Sequence, residues 1–418
     1  MSGQGGACCD WRLLTMRILY VAPRVPYPPT KGDKIRAFHQ IRELAKQHAV
    51  HLICGIDPKD DGAGLEALRR YCTSIEAVST TRMAIRLRVA GALFRGRPQW
   101  AFSHREKGLG ERVWQKLRAE KFDAILGSSV AVAECLRGVN DVPKALDFVD
   151  TVSELWRAAA EYRRFPASSF YRVEARRLAR YEQEIARSFD CSIFVSEAEA
   201  RLFRRRGFDL PVSVVGNGVD LEYFSPSGES SRRGESPTVV FTGTMDYFPN
   251  ADAVRHFCRS IFPTVRAAVP GVHFYVVGRD PTRPVRALAR ERQVTVTAAV
   301  ADVRVYLAHA TVAVAPFRVA RGVQNKVLEA MAMGVPVVGT SQAFEGLELI
   351  DGDGARRADD PHLFSEELAA LLTDASWRRR CSRQARRYVE QYHRWDVQGA
   401  RLNEVLNAIV GTERKQHG

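Results

Sequence analysis

One segment in the second half of the chain, APFRVARGVQNKVLEAMAMG at residues 315–334, combines residue types that bind phosphate. It follows an apolar strand and contains a short helix that Gly334 ends. Gly322 would let the backbone approach a ligand closely, and the start of the helix offers free amides and positive dipole. Arg318 and Lys326 add full charges there, an arrangement that can hold a diphosphate and stabilise it as it leaves.

A carboxylate in the same segment suggests a second contact. Glu329 lies one turn beyond Lys326 on the same helix face, where it can accept hydrogen bonds from ribose hydroxyls. The alternative is that Lys326 and Glu329 form a solvated ion pair while their apolar neighbours simply pack. The segment alone is compatible with both.

Two other glycine-containing loops follow predicted strands. APRVPYPPTKGDKIR, at 22–36, places Gly32 at the start of a helix, and a proline-rich surface loop is its alternative interpretation. This loop is not GxGxxG, so it lacks a dinucleotide fingerprint. FTGTMDYFPNADAV, at 241–254, places Gly243 at the end of a strand, and Asn250 or Asp252 is expected to cap the next helix.

The elements that position these loops alternate along the chain. Nearly continuous apolar runs such as 17–23 and 49–56 flank amphipathic helices, which is typical of a parallel sheet covered on both faces. A Ser-, Gly- and Pro-rich segment at 225–237 interrupts this alternation, which restarts at 238. We therefore predict two doubly wound α/β domains, with a ligand between them at the carboxyl ends of the strands. The predicted divisions are a disordered N-terminal extension at 1–15, a first domain at 16–220, a linker at 221–237, a second domain at 238–384 and a C-terminal helix at 385–410 that crosses back to the first domain.

The charge balance favours anionic partners. The chain has 62 Lys and Arg against 48 Asp and Glu, a formal net charge of +14 over 418 residues. Arginines alternate with apolar residues in the stretches 81–97 and 163–180. These stretches are compatible with a solvated helix face, with RNA, or with an anionic membrane surface. The apolar residues favour the membrane, and we expect no nucleic-acid partner.

Several classes of protein are excluded. The eight cysteines form no CxxC and none lies near a His at metal-ligand spacing, so no metal site or disulfide framework is predicted. No run of about 18 apolar residues occurs, so no transmembrane helix is predicted. These features fit a reducing cytoplasm.

Four segments, taken together and in this order, carry a family resemblance. They are VVGNGVDLEYFSP (214–226), FTGTMDYFPNADAV (241–254), VADVRVYLAHATVAVAPFR (300–318) and KVLEAMAMGVPVV (326–338). The chain resembles retaining glycosyltransferases of the family 4 type (glycosyl transferases group 1), which have the GT-B fold of two Rossmann-like domains facing each other across a cleft. Two segments, MRILYVAPRVPYPPTKGDKIR (16–36, called the opening segment) and RGVQNKVLEAMAMG (321–334), are more similar to the sugar transferases associated with exopolysaccharide and PEP-CTERM (exosortase) loci.

The resemblance implies a hexosyltransferase without a metal or other cofactor. Its donor would be a nucleoside-diphosphate sugar bound by the second domain. Its acceptor would be a glycan or a lipid-linked molecule bound by the first domain, in the cytoplasm or on the inner face of the membrane. The residues implied for the donor are Arg318 and Lys326 at the diphosphate, Glu329 at the ribose, Ala299 and Val300 at the base, and Gly32, Gly243, Gly322, Val323, Asn325 and Val327 around them.

The chain also departs from the family pattern. Arg321 stands where the family has the first of two acidic residues, eight positions before Glu329. The first domain has no His at the strand end where many members carry one, and Asp150 is the candidate there for the reaction centre. Two alternatives stay open: another enzyme of two Rossmann-like domains, such as a sugar-phosphate epimerase, and a non-catalytic protein that binds an anionic ligand or a membrane.

Overall fold

The computed structural model contains two parallel β-sheets, each covered by helices on both faces. It describes residues 15–56, 62–79, 98, 107–207, 210–226, 236–349 and 354–416. The predicted N-terminal extension, most of the predicted linker and the basic stretch at 81–97 therefore lie outside the described residues. Within the described residues, no helix is long and apolar enough to span a bilayer.

The first sheet has seven parallel strands in the order β3-β2-β1-β4-β5-β6-β7. Its strands are β1 (Arg17–Ala22), β2 (Ala49–Ile56), β3 (Ser74–Ser79), β4 (Ala124–Ser128), β5 (Lys144–Val149), β6 (Cys191–Phe194) and β7 (Val212–Val214). Its helices are α1 (Gly32–Leu44), α2 (Ala63–Leu68), α3 (Lys107–Ala119), α4 (Ala133–Leu136), α5 (Val152–Glu161), α6 (Ala167–Ala186) and α7 (Glu197–Arg204). The central strands are buried along nearly their whole length, which explains their continuous apolar sequences.

The second sheet has six parallel strands in the order β10-β9-β8-β11-β12-β13. Its strands are β8 (Thr238–Thr242), β9 (His273–Val277), β10 (Val294–Val296), β11 (Val312–Ala315), β12 (Val337–Gly339) and β13 (Ala355–Arg357). Its helices are α8 (Phe248–His256), α9 (Phe262–Ala268), α10 (Arg283–Arg286), α11 (Arg304–His309), α12 (Asn325–Ala332), α13 (Ser341–Phe344), α14 (Pro361–Thr373) and α15 (Ala375–Tyr392). In both sheets the strand order reverses direction once, and a doubly wound sheet binds its ligand at that point.

The last helix, α16 (Trp395–Gln416), returns to the first domain. Three of its side chains, Leu402, Leu406 and Ile409, belong to the apolar core beneath α1. The return occurs beside the hinge after β7, where the Val219 amide donates to the His393 carbonyl over 2.8 Å. The chain therefore passes between the domains twice at one place.

A buried ion pair joins α1 to the first sheet. Arg36 and Asp147 are 1% and 0% exposed, and two hydrogen bonds of 2.6 and 3.1 Å connect them. Arg36 also donates to the side-chain oxygen of Asn217 in the hinge over 2.9 Å. This network lies between the core of the first domain and the hinge.

The structure differs from the predicted elements at three places. The sequence after β8 predicts one helix from about 250 to 268, whereas the structure contains α8, a π-helical segment at Phe257–Ile261 and α9, because Pro263 interrupts regular α-helical bonding. The segment VTVTAAV at 294–300 predicts a strand, but β10 ends at Val296, after which the Thr297 hydroxyl hydrogen-bonds to the backbone. The helix predicted to cross back from 385 starts its crossing at 395, because residues 385–389 still pack in the second domain.

Candidate functional site

The candidate site lies at the carboxyl end of the second sheet, where the strand order reverses between β8 and β11. Gly243 follows β8 and α12 follows β11, so the two predicted loops are adjacent. A Cβ atom at Gly243 would lie 3.0 Å from Lys326 Nζ and 2.8 Å from the side-chain nitrogen of Asn250. Only glycine fits there without moving these two side chains.

Lys326 is held by neutral and aromatic groups. Its Nζ donates to Asn250 Oδ1 over 2.5 Å and lies 4.6 and 4.8 Å from the ring centres of Phe241 and Phe317. The Asn250 amide nitrogen donates to the Thr244 carbonyl, which fixes its oxygen toward the lysine. Among the described residues, no carboxylate forms an ion pair with Lys326. The ammonium group is therefore partly enclosed, with no carboxylate at ion-pair distance in the described residues and only partial compensation from the nearby Glu329.

Burial shifts the ionisation of this helix face. It lowers the pKa of Lys326 to about 7, an effect that the charge of Glu329 only partly offsets. Burial also raises the pKa of Glu329 to about 7, against the opposing effect of Lys326. Contact with a phosphate would favour the charged form of Lys326, and hydrogen bonds donated by a ligand would favour the charged form of Glu329.

Arg318 is placed differently from Lys326. Its guanidinium makes two hydrogen bonds, of 3.0 and 2.5 Å, to the carboxylate of Asp252 on α8. Its outer face lies 4.9 Å from the ring centre of Tyr162 in the first domain. Helix α8 thus holds both predicted cations, one through an amide and the other through a carboxylate. The charge of Arg318 is compensated, so Lys326 is the stronger candidate for a diphosphate.

The first domain contacts both ends of the loop that precedes α12, residues 316–324, which we call the donor loop. At one end, the Gly322 amide donates to Glu199 Oε1 over 3.3 Å, while Glu199 Oε2 accepts from the Thr151 amide over 2.8 Å. At the other end, the side chain of Asn217 in the hinge donates to Asn325 Oδ1 over 2.9 Å. The position of the donor loop therefore depends on the first domain.

Asp150 lies at the same junction. The position that a Cβ atom of Gly322 would occupy is 3.4 Å from Asp150 Oδ2. Asp150 follows an irregularity in β5 where Val149 adopts φ +67°, an unfavourable conformation for a β-branched residue. Burial and the Glu199 and Glu182 carboxylates raise the pKa of Asp150 to about 7. The carboxyl group of Asp150 thus lies beside a strained residue at the cleft and is a weaker acid than an ordinary aspartate.

Arg321, which departs from the family pattern, points into an ion pair within the second domain. Its Nη1 lies 2.6 Å from Glu345 Oε1, and its side chain is 11% exposed. The residue after its partner, Gly346, packs against the backbone of Gly322. Arg321 therefore anchors the donor loop to Glu345 within the second domain.

The remaining predicted residues fall into separate groups. Gly32 begins α1 and a Cβ atom there would lie 3.9 Å from the Asn325 side chain, so these two residues are neighbours. Val327 is 1% exposed and packs in the core, as Val323 does in part, so their side chains are structural. Ala299 and Val300 lie in the loop after β10, and within the described residues no hydrogen bond joins them to the rest.

Three residues of this site were missed or misassigned from sequence. Asn250 was expected to cap a helix, but α8 begins two residues earlier and Asn250 orients Lys326. Glu199 and Asn217 act on the donor loop from 123 and 108 residues away. No local pattern could have paired them, although Asn217 lies in a segment that carries the resemblance.

The described residues contain no group of three or more His, Cys, Asp or Glu side chains arranged to hold a metal ion. The six cysteines in the described part of the chain are buried.

Solved structures share the whole architecture. Sucrose-phosphate synthase from Thermosynechococcus elongatus has a TM-score of 0.70 at 16% identity, with 95% of this chain and 100% of that chain covered. HepE from Anabaena in complex with UDP and glucose has a TM-score of 0.66 at 15% identity, covering 94% and 100%. A glycosyltransferase from Rickettsia africae has a TM-score of 0.62 at 12% identity, covering 95% and 99%. The chain is therefore a GT-B protein with its candidate site at the cleft.

Family comparisons then assign both domains. Residues 32–223 match the family described as Glycosyltransferase Family 4, and residues 236–374 match Glycosyl transferases group 1. Together these matches span well over half of the chain, which belongs to the glycosyltransferases of this type. No curated protein matches its sequence.

Proposed function

We propose that this protein transfers a sugar from a nucleoside-diphosphate sugar to a hydroxyl group of a glycan or lipid-linked acceptor. The observation that carries the proposal is the environment of Lys326. Its ammonium group lies in the cleft against two aromatic rings and an amide, without a carboxylate partner in the described residues. A diphosphate would supply the missing negative charge.

On the donor side, Lys326 and the first amides of α12 would contact the diphosphate, and Glu329 would accept from the ribose hydroxyls. The base would lie against the backbone at Ala299 and Val300. Anabaena HepE is in complex with UDP and glucose, which makes a uridine nucleotide the first donor to test. As the bond between the sugar and the diphosphate breaks, Lys326 would stabilise the charge on the leaving oxygen.

On the acceptor side, Asp150 would line the reaction centre. The acceptor oxygen forms a bond to the anomeric carbon on the face that the diphosphate leaves, so the configuration is retained. The hydroxyl proton passes to an oxygen of the departing diphosphate. Asp150, with its raised pKa, would orient the acceptor hydroxyl through a hydrogen bond.

The finer assignment follows the sequence resemblance. We propose transfer of a hexose without a metal or other cofactor, on the cytoplasmic side of the membrane, in exopolysaccharide biosynthesis of the PEP-CTERM-associated kind. The similarity of the opening segment and of residues 321–334 supports this assignment. A non-catalytic protein that binds an anionic ligand is the competing function, because Arg321 replaces an acidic residue of the family.

Calorimetric binding of UDP, GDP and ADP to the purified full chain tests the proposal. We expect one nucleotide to bind, and Lys326→Ala and Glu329→Ala each to weaken it at least tenfold, the scale of losing a contact to a charged group. Release of the same nucleotide from its sugar conjugate would then report transfer.

Lys46→Ala is the matched control, since Lys46 is 55% exposed in the turn after α1 and its removal should leave binding unchanged. The absence of binding by all three nucleotides would contradict the donor assignment. Binding without turnover in the presence of candidate acceptors would favour the non-catalytic alternative.

A further inference from the structure

The tip of the helical hairpin formed by α5 and α6 exposes apolar side chains. Tyr162, Phe165, Phe170 and Val173 are 44, 82, 41 and 44% exposed. Among the described residues, no other stretch of twelve residues has more than one large hydrophobic side chain in this exposed class. A concentration of this kind marks an interaction surface rather than ordinary surface scatter.

The same tip is positively charged. Arg164, Arg172 and Arg176 are exposed, and in the described part of the chain none of them forms an ion pair. The one acidic residue between positions 162 and 180, Glu174, is buried and bonded to Arg177. We call these three arginines and the four apolar residues the hairpin patch.

The patch is part of a packed structure. The Trp156 ring stacks on Tyr171 at 4.7 Å and contacts Phe170 at 6.3 Å, so α5 supports the exposed face of α6. Arg163, next to the patch, lies 4.3 Å from the ring of Phe248 in the second domain. Tyr162, within the patch, contacts Arg318, so the patch adjoins the mouth of the cleft.

We propose that the hairpin patch docks on the surface of an anionic phospholipid membrane. Aromatic rings favour the boundary between headgroups and acyl chains, and arginines favour the lipid phosphates. An RNA ligand would use the arginines and could stack on the phenyl rings, but it would leave the aliphatic side chain of Val173 without a partner. Docking here would place the cleft mouth at the membrane surface, where a lipid-linked acceptor enters. This last consequence rests on the proposed function, whereas the docking does not.

Co-sedimentation of the full chain with vesicles tests the docking. Vesicles of phosphatidylcholine alone are compared with vesicles containing one-third phosphatidylglycerol, at low and high salt. We expect binding to the anionic vesicles and its loss at high salt. Combining Phe165→Ser with Phe170→Ser should reduce the bound fraction roughly tenfold, the scale of returning a large apolar side chain to water. Combining Arg164→Gln, Arg172→Gln and Arg176→Gln should remove the dependence on phosphatidylglycerol.

A matched control removes equal charge elsewhere. Arg379, Arg383 and Arg387 are exposed on α15 and lie four residues apart on one helix face, so their replacement by Gln should leave vesicle binding nearly unchanged. Leu363→Ser, at a side chain 44% exposed on α14, is the apolar control.

Three outcomes would overturn the proposal. They are equal binding of the wild type to neutral and anionic vesicles, equal losses in the control and patch variants, and loss of binding to homopolymeric RNA in the arginine variant while vesicle binding persists. Nucleotide binding by the patch variants, measured by calorimetry, should match the wild type. If nucleotide binding is intact and vesicle binding fails, the docking is wrong and the proposed function stands.

Discussion

The two walls of the cleft carry opposite and incompletely compensated charges. The second-domain wall presents Lys326, whose ammonium group contacts an amide and two aromatic rings. The first-domain wall presents the carboxyl group of Asp150, close to the buried carboxylate of Glu199. Burial lowers the pKa of Lys326 and raises that of Asp150, both to about 7. The difference indicates a ligand with an anionic group at one wall and a hydrogen-bonding neutral group at the other.

The largest effect is expected from a substitution that removes the cation of the second-domain wall. Lys326→Met should lower transfer by about 10²–10³, the scale of losing one group that stabilises developing charge. Because burying an ammonium group disfavours the folded state, the same change should raise the melting temperature. Initial rates and thermal denaturation of one preparation measure both effects.

Arg318→Ala provides the comparison with Lys326→Met. Because Asp252 already compensates the charge of Arg318, the loss of Arg318 should lower the rate of transfer less than the loss of Lys326. An equal loss of activity in the two variants would show that the ion pair opens and that both cations hold the diphosphate. A lower melting temperature in Lys326→Met would contradict the uncompensated state of the lysine.

A smaller effect is expected at the first wall. Glu199→Ala removes the acceptor of the Thr151 and Gly322 amides, and each unpaired buried amide costs about 1–3 kcal/mol. We expect a lower melting temperature and weaker nucleotide binding, although Glu199 belongs to the other domain. Glu199→Gln, which keeps a neutral acceptor, should recover part of both.

The effect of Glu199→Ala on nucleotide binding distinguishes a role of Glu199 in connecting the two domains from a role within the first domain alone. If Glu199→Ala lowers the melting temperature but leaves the nucleotide dissociation constant unchanged, the bond to Gly322 has no part in positioning the donor loop. Calorimetry on the Ala and Gln variants provides this comparison.

The two walls also differ in how far their sequences predicted them. Lys326, Glu329 and Gly322 lie within eight residues, where helix periodicity and a glycine loop indicate a phosphate site directly. The parallel sheets could also be predicted locally, because central strands such as β1, β2 and β11 are nearly continuous apolar runs. The first wall instead joins Asp150 to Glu199 across 49 positions, and Glu199 to Gly322 across 123. Only folding brings these groups together, so their pairing could not be inferred from spacing.

The pH dependence of nucleotide binding should follow the second wall. A bound diphosphate favours protonated Lys326 and so raises its pKa above the value of about 7 in the free protein. Affinity should therefore be highest below pH 7 and fall as the pH rises, by up to about tenfold per pH unit until the pKa of the complex is reached.

Calorimetry in two buffers of different ionisation enthalpy would detect the proton taken up on binding. Lys326→Met should bind more weakly and take up fewer protons. Uptake that is unchanged in this variant would assign the titration to Glu329 or to the nucleotide itself.

The smallest expected effect tests whether the walls must fit closely. Gly322 adopts φ +64°, and Gly207, at the end of α7, adopts φ +82° with no atom within 4 Å of an added Cβ. Alanine at either position costs roughly 1 kcal/mol of stability through the backbone alone. At Gly322 the added methyl would also lie 3.3 Å from Val195 and 3.4 Å from Asp150, so the donor loop or these first-domain side chains must shift by a few tenths of an ångström. We therefore expect similar melting temperatures for Gly207→Ala and Gly322→Ala but several-fold weaker nucleotide binding for the second alone, because only there does the methyl contact the other domain. Equal nucleotide affinities in the two variants would show that the cleft binds its donor without this close contact.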